Sequence, residues 1–167
     1  MLQRIDNYLF KRLYGLAVGN LRIGKITVLV TKLSSKVFYV IYLAFVLLLV
    51  WQRDMRIVPF LAGPAAALLL TGELRRVFCR PRPFVELGIE SLVEHAADGS
   101  FPSKHAMSAF VIGMSVWYLS TWAGIFVLAL AGLTGLSRVM VGVHFPSDIL
   151  LGAVIGVLAS VAAFNLL

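Results

Sequence analysis

Residues 106–137 contain no charged side chain, and this run constrains the fold more than any other feature of the sequence. A bilayer-spanning helix needs roughly 20 mainly apolar residues, so the run is too long for one helix. We expect two spans, at about residues 104–120 and 122–138. The chain is 60% hydrophobic with a mean hydropathy of +0.91, whereas soluble domains hold about 45–50% apolar residues. These features predict a polytopic membrane protein and exclude an ordinary soluble domain.

Three further segments have the apolarity of membrane helices, namely residues 37–51 with a few residues before them, 57–74 and 147–165. The preceding segment 22–36 is too charged to span. We therefore predict an all-α membrane bundle of about five transmembrane helices. The length allows one compact domain over residues 1–167.

Residues 2–18 alternate apolar and basic positions at helical spacing. The apolar face would carry Leu2, Ile5, Leu9, Leu13 and Leu16. Such a helix can lie in the membrane interface, with basic residues toward the headgroups. A helix packed on the outer surface of the protein explains the pattern equally well, so both positions stay open for this N-terminal amphipathic helix.

The chain has 15 Lys and Arg against 8 Asp and Glu, a formal net charge of +7. This balance favours an anionic partner, such as nucleic acid, anionic lipid or a phosphorylated substrate. The cations border apolar segments, so we expect no nucleic acid, and membrane lipids and a phosphorylated substrate stay open as partners. Cys79 is the only cysteine and cannot form an internal disulfide.

Three polar clusters interrupt the apolar sequence, at residues 75–83, 100–105 and 137–148. The first follows the second span, the second precedes the third span, and the last joins the fourth span to the fifth. With five spans, all three clusters fall on one side of the membrane. They can therefore form a single site.

The first cluster, R75-R-V-F-C-R-P-R-P83, contains four arginines. Arginine donates bidentate hydrogen bonds to phosphate oxygens, so a group of them suits a phosphoryl ligand. Snorkelling or positive-inside anchoring explains any one arginine alone. The two Arg-Pro pairs favour the phosphate interpretation, because proline restrains the backbone that carries the side chains.

The second cluster, S100-F-P-S-K-H105, precedes the third span. Ser103 is a good helix N-cap after Pro102, and the free amides of a helix start form an anion site. A simple capping role for Ser103 is the alternative. His105 has the near-neutral pKa of a proton donor or acceptor.

In the third cluster, His144 and Asp148 are four residues apart around Pro146. An Asp that accepts a hydrogen bond from one imidazole nitrogen leaves the other nitrogen free to attack. A structural salt bridge between Arg138 and Asp148 is the alternative. His105, His144 and Asp148 could also form a two-His-one-carboxylate metal set. The surrounding arginines would repel a divalent cation, so we predict no metal and no cofactor.

The three clusters together resemble the type 2 phosphatidic acid phosphatase family. That family's pattern is Lys, six residues, Arg-Pro; then Pro-Ser-Gly-His; then Ser-Arg, five residues, His, three residues, Asp. Here the pattern stands as Arg75, six residues, Arg82-Pro83; Pro102-Ser103-Lys104-His105; and Ser137-Arg138, five residues, His144, three residues, Asp148. Arg75 thus replaces a lysine and Lys104 a glycine. The loop from R80-P-R-P-F-V to the second cluster looks most like bacterial undecaprenyl-diphosphatases of the bacitracin-resistance type.

The resemblance implies a metal-independent phosphatase. His144, oriented by Asp148, would form a phosphohistidine, and His105 would protonate the leaving oxygen. The phosphoryl oxygens would be held by Arg75, Arg82, Ser103, Arg138 and the amides near Lys104 and His105. The Lys104 side chain would either reach a second phosphate or point into water.

The implied substrate is undecaprenyl (polyprenyl) diphosphate, cleaved to the monophosphate and phosphate. One alternative is a phosphatase for phosphatidylglycerol phosphate, phosphatidic acid or another lipid phosphate. Another is a non-catalytic lipid-phosphate binder or carrier, against which the histidine pair argues because binding alone needs no nucleophile. The acidic residues within 86–98 have no assigned role. A solvated loop face is favoured for them over a gate or partner site.

The side of the membrane is the point on which two expectations conflict. The Lys and Arg residues of the N-terminal region place that region, and the active site two spans later, in the cytoplasm. The resemblance implies a multi-pass protein of the bacterial inner membrane whose active site faces outward. We favour the outward orientation, because the loop arginines are needed for phosphate binding and an interfacial helix weakens the N-terminal count.

Overall fold

The computed structural model describes residues 2–167, and within them the chain forms seven helices and no strand. In chain order they are α1 (Leu2–Gly19), α2 (Leu21–Gln52), α3 (Ile57–Phe78), α4 (Pro83–Glu86), α5 (Lys104–Leu119), α6 (Thr121–Met140) and α7 (Pro146–Leu166). The predicted all-α class is confirmed.

The bundle is built around α5, which packs against α7, α6 and α3. Helices α2, α6 and α7, and α3 with the residues that follow it, are each long and apolar enough to cross a membrane. Helix α5 has 16 residues, fewer than a typical span, and it buries much of its surface between its neighbours. Many large apolar side chains on the outer helices are exposed, as expected of a bundle surrounded by lipid.

The boundaries of four predicted spans agree with α3, α5, α6 and α7 to within a few residues. The separation of segment 22–36 from the apolar span after it is wrong. Both belong to α2, whose 32 residues extend over about 48 Å at ~1.5 Å per residue. A helix of that length exceeds the roughly 30 Å hydrocarbon core, so one continuous helix can carry an apolar span and a charged end.

Helix α1 lies across the end of the bundle where α6 ends and α7 begins. Its buried residues, Asp6, Phe10 and Ala17, form the face that packs on the bundle. The ring of Phe10 contacts that of Phe145, with 5.4 Å between the centroids. The predicted apolar face keeps Ile5, Leu9 and Leu16 exposed. Helix α1 therefore packs on the protein's own surface, and contact of its outer face with lipid stays a prediction.

Close packing of α5 on α7 depends on two glycines of α7. A Cβ atom at Gly152 would lie 2.6 Å from the backbone oxygen of Ser103, and one at Gly156 would lie 2.5 Å from that of Met107. Because glycine has no Cβ atom, the start of α5 can approach the first turns of α7 without these contacts. This approach brings the second and third polar clusters together.

Candidate active site

The three polar clusters meet at one end of the bundle, as the sequence predicts. The Ser103 N–H donates to the backbone oxygen of Asp148 (3.0 Å), which joins the second cluster to the third. Arg75 Nη1 donates to the carbonyl of Pro102 (3.3 Å). The first cluster reaches the third through Arg82, whose Nη1 donates to the carbonyl of Val143 (2.9 Å).

His144 and Asp148 form a buried pair at the centre of this end. His144 is 1% exposed and Asp148 is fully buried. His144 Nδ1 lies 3.4 Å from Asp148 Oδ2, which also accepts the Phe145 N–H at 2.9 Å. With the proton on Nδ1, the lone pair of Nε2 is free. Burial lowers the pKa of His144 to about 4 against the opposing effect of Asp148, so the imidazole is neutral at physiological pH.

Two buried arginines act on the His144 imidazole, Arg82 by contact and Arg138 through its charge. Arg82 Nη1 lies 3.3 Å from His144 Nε2. The Nη2 atom of Arg138 donates to the carbonyl of Thr31 (3.4 Å) and the hydroxyl of Ser35 (3.5 Å). Its Nε is buried without a hydrogen-bond partner within residues 2–167. An unsatisfied buried donor is rare in folded proteins, and a charged donor of this kind suits an anion.

The Asp98 carboxylate accepts hydrogen bonds from Arg82 and Arg75. Its Oδ1 accepts from Nε (3.0 Å) and Nη2 (2.7 Å) of Arg82, and its Oδ2 accepts from Arg75 Nη2 (2.8 Å). Burial raises the pKa of Asp98, but the hydrogen bonds and charges of Arg82 and Arg75 outweigh it, so the pKa is below its ordinary value. This residue of the acidic loop thus occupies donors that a phosphoryl group would also use.

The start of α5 lies between this site and an apolar cavity. Ser103 is the N-cap, and its Oγ accepts the Ala106 N–H at 3.4 Å. His105 is near enough to Arg138 and Arg82 for their charges to act on its imidazole. Lys104 and His105 line a cavity of about 390 Å³ between α2, α3, α5 and α6. Its other walls are mostly apolar or aromatic and include Phe38, Tyr39, Tyr42, Leu68 and Ile112.

Arg138 lines a second, polar cavity of about 630 Å³. Its lining also includes Lys32, Ser35, Glu94 and His95. Ser35 lines both cavities, so the apolar and the polar cavity are adjacent at α2.

The structure places all eight predicted site residues at this end, although Asp148 has a different cationic partner from the one considered. The alternative salt bridge between Arg138 and Asp148 is wrong, because Asp148 Oδ1 accepts from Arg80 Nη1 (2.9 Å). Sequence reasoning grouped Arg80 with the arginines suited to a phosphoryl ligand, favoured a solvated loop face for Asp98 and assigned no role to Asp6. The structure instead pairs Arg80 with Asp148 and Asp6.

Within residues 2–167, no group of three or more His, Cys, Asp or Glu side chains is arranged to hold a metal ion. Metal independence therefore stays a prediction, and chelation is the way to test it.

A family model described as PAP2 superfamily matches residues 56–167. Undecaprenyl-diphosphatase BcrC of Bacillus subtilis is 31% identical over 160 residues, which cover 95% of this chain and 83% of that protein.

Two solved structures share the fold. The crystal structure of Aquifex aeolicus LpxE matches with a TM-score of 0.79 at 23% identity, over 95% of this chain and 93% of that one. The PAP2-type phosphatidylglycerolphosphate phosphatase of Bacillus subtilis matches with a TM-score of 0.81 at 22% identity, over 99% and 85% of the two chains.

Proposed function

The chain belongs to the PAP2 superfamily, and we propose that it hydrolyses a polyprenyl diphosphate of the undecaprenyl type to the monophosphate and phosphate. The observation that carries this proposal is an arginine-flanked His144–Asp148 pair beside an apolar cavity. A substrate with an anionic head and a long apolar tail fits both compartments. The name of the Bacillus subtilis relative supports the same substrate.

The apolar cavity is the proposed site for the first part of the lipid tail. It lies among helices whose outer surfaces are apolar and exposed, so a chain entering from the bilayer need not cross water. A cavity of about 390 Å³ holds only part of a long isoprenoid, and the remainder would stay in the lipid. The tail would direct the head toward His105 and Lys104.

Lys104 favours a diphosphate over a monophosphate. Its side chain is exposed at the mouth of the apolar cavity, which is where the phosphate that remains on the lipid would lie. The family pattern has glycine here, which offers no cation. A lysine ammonium at this point would neutralise charge on the departing lipid monophosphate.

In the first chemical step, Nε2 of His144 attacks the terminal phosphorus. An N–P bond forms and the bridging P–O bond breaks, with the electron pair leaving on the lipid phosphate, which His105 can protonate. The imidazole becomes cationic as it is phosphorylated, and the Asp148 carboxylate stabilises that charge. Arg82 and Arg138 would hold the equatorial oxygens, where phosphoryl transfer needs most stabilisation.

In the second step, water attacks the phosphohistidine. His105 accepts a proton from the water, the N–P bond breaks, and its electron pair returns to His144 Nε2. Phosphate leaves and His144 is again neutral. The polar cavity beside Arg138 is the proposed route for water and phosphate. No step needs a metal ion, and we propose that the active site faces outward from the bacterial inner membrane.

The test is phosphate release by the purified protein in detergent with EDTA present. Undecaprenyl diphosphate and phosphatidylglycerol phosphate are compared as substrates for wild type, His144→Ala, Lys104→Ala and a distant control, Gln52→Ala. We expect His144→Ala to abolish turnover, Lys104→Ala to lose mainly diphosphate activity and the control to match wild type. Full dependence on a divalent metal would overturn the mechanism. A higher kcat/KM on the glycerol lipid would overturn the substrate assignment.

A further inference from the structure

A buried chain of charges lies behind Asp148, on the side away from the proposed phosphate site. Its members are Asp6 of α1, Arg80 and Asp148. Of these, only Asp148 is a residue that the family pattern specifies. Arg80 Nη2 donates to Asp6 Oδ2 (2.7 Å), and Arg80 Nη1 donates to Asp148 Oδ1 (2.9 Å). The exposed fractions of the three side chains are 7%, 16% and 0%. Charged groups this well buried contribute only when their partners and geometry are fixed.

Arg80 determines how the Asp148 carboxylate is oriented. Asp148 Oδ2 faces His144 Nδ1 and the Phe145 N–H, while Oδ1 accepts a hydrogen bond from Arg80. Contacts at both oxygens fix the plane of the carboxylate. Arg80 is itself held from a second direction, since its guanidinium lies 4.1 Å from the centroid of the Phe145 ring, a favourable cation–π contact.

Asp6 holds both Arg80 and the first turn of α7. Its Oδ1 accepts the Ser147 N–H (2.9 Å), and its Oδ2 accepts the Ser147 hydroxyl (2.5 Å). Ser147 Oγ in turn accepts from Arg80 Nη1 (2.7 Å). A carboxylate at a helix N-terminus is favourable because the free amides carry partial positive charge. One side chain of α1 therefore fixes the turn that carries Asp148 and the cation that contacts it.

We propose that Asp6 and Arg80 are positioning residues that hold Asp148 in the orientation His144 needs, so that helix α1 is part of the active-site structure. This inference rests on the proposed function. Arg80 contacts Asp148 Oδ1, whereas His144 faces Oδ2 of the same carboxylate. Asp6 and Arg80 are therefore assigned to orientation of the carboxylate and not to contact with substrate. Their loss should slow the step in which His144 becomes cationic and leave substrate binding largely intact.

The test compares kcat and KM of Asp6→Asn, Arg80→Lys and the double variant with wild type. Lysine keeps the charge but lacks the planar fork that reaches two carboxylates. Loss of groups that orient metal ligands costs about 10–100-fold in activity, and we expect a loss of the same size in kcat for each single variant here, with KM within about threefold. Because Asp6 and Arg80 act through the same carboxylate, the double variant should lose much less than the product of the single losses.

Glu73→Gln is the matched control, because it removes one acidic charge from an exposed ion pair with Arg76 near the same end. Its kcat should equal that of wild type. The inference is overturned if either single variant keeps wild-type kcat, if the loss appears in KM alone, or if the single losses multiply in the double variant. If Asp6→Asn does not fold, the kcat and KM of Arg80→Lys decide. If wild type itself does not hydrolyse the lipid diphosphate, the proposed function is rejected instead.

Discussion

Substitution of Asp98 by Asn should tighten the binding of inorganic phosphate. The Asp98 carboxylate accepts three hydrogen bonds from Arg82 and Arg75. A phosphoryl group needs the same donors, so the carboxylate and phosphate compete. Asparagine has a similar shape, but its amide accepts more weakly and carries no charge.

The magnitude follows from the two ion pairs and from their exposure. The Asp98 side chain is 55% exposed, although Arg82 and Arg75 are only 2% and 11% exposed. Partly exposed ion pairs contribute about 0.5 kcal/mol each, so the two pairs come to ~1 kcal/mol. That free energy corresponds to a change of about fivefold in affinity.

The assay is competitive inhibition of lipid hydrolysis by inorganic phosphate in detergent with EDTA. The inhibition constant of Asp98→Asn should fall about fivefold relative to wild type. Glu90→Gln is the control, since it removes one charge from the same loop at an exposed position, and its inhibition constant should stay within about twofold. An unchanged or higher inhibition constant in Asp98→Asn would refute the competition between Asp98 and phosphate. A higher constant would show that Asp98 orients the arginines for phosphate.

Three further predictions address His144, His105 and the membrane orientation. Because burial lowers the pKa of His144 to about 4, its imidazole should remain neutral as the pH falls from 7 to 5.5, and NMR of histidine-labelled protein assigned with His144→Ala should show no titration there. A midpoint near the ordinary value of about 6.5 would contradict this. His105→Ala should slow formation of the phosphoenzyme from a lipid phosphate monoester by about 100-fold or more but from a diphosphate far less, because the diphosphate's leaving group needs little protonation. Single-turnover measurement isolates this step from the hydrolysis in which His105 also acts, and equal losses in it would exclude His105 as the acid. For the orientation, Cys79 is exposed and follows α3 at the active-site end, so it should react with an impermeant maleimide on intact cells. Gln52→Cys in a Cys79→Ser background lies at the other end of the bundle and should react only after permeabilisation. The reverse pattern would place the active site in the cytoplasm.

Most helix boundaries could be predicted because their signals are local. Helix α5 begins after Ser103 and α7 begins at Pro146, where capping and proline chemistry mark the start. For α2, the charged residues within 22–36 indicate a boundary that the helix does not have. Its residues 25–52 contain neither Gly nor Pro, so nothing in the backbone ends the helix there.

The motif residues of the site could also be predicted, since each cluster is short and the order of spans brings the clusters to one end. The contacts of Asp6 could not, because Asp6 and Ser147 are 141 residues apart and no local spacing links them. The apolar pattern of α1 indicated a face with Ile5 and Leu9, yet the face that packs on the bundle contains Asp6 and Phe10. A buried carboxylate on a charged helix gives no periodic signal, and only its partner Arg80 reveals why it is buried.

The central claim is that His144 is the nucleophile in hydrolysis of a lipid diphosphate, and trapping of the phosphoenzyme tests it most directly. Undecaprenyl diphosphate labelled in the terminal phosphate is mixed with enzyme in EDTA, the reaction is quenched rapidly with base, and the labelled peptide is identified. We expect an acid-labile, base-stable phosphoryl group on His144, formed at least as fast as turnover and absent from His144→Ala. Label on another residue would contradict this mechanism. So would turnover by wild type that is faster than the formation of any covalent intermediate.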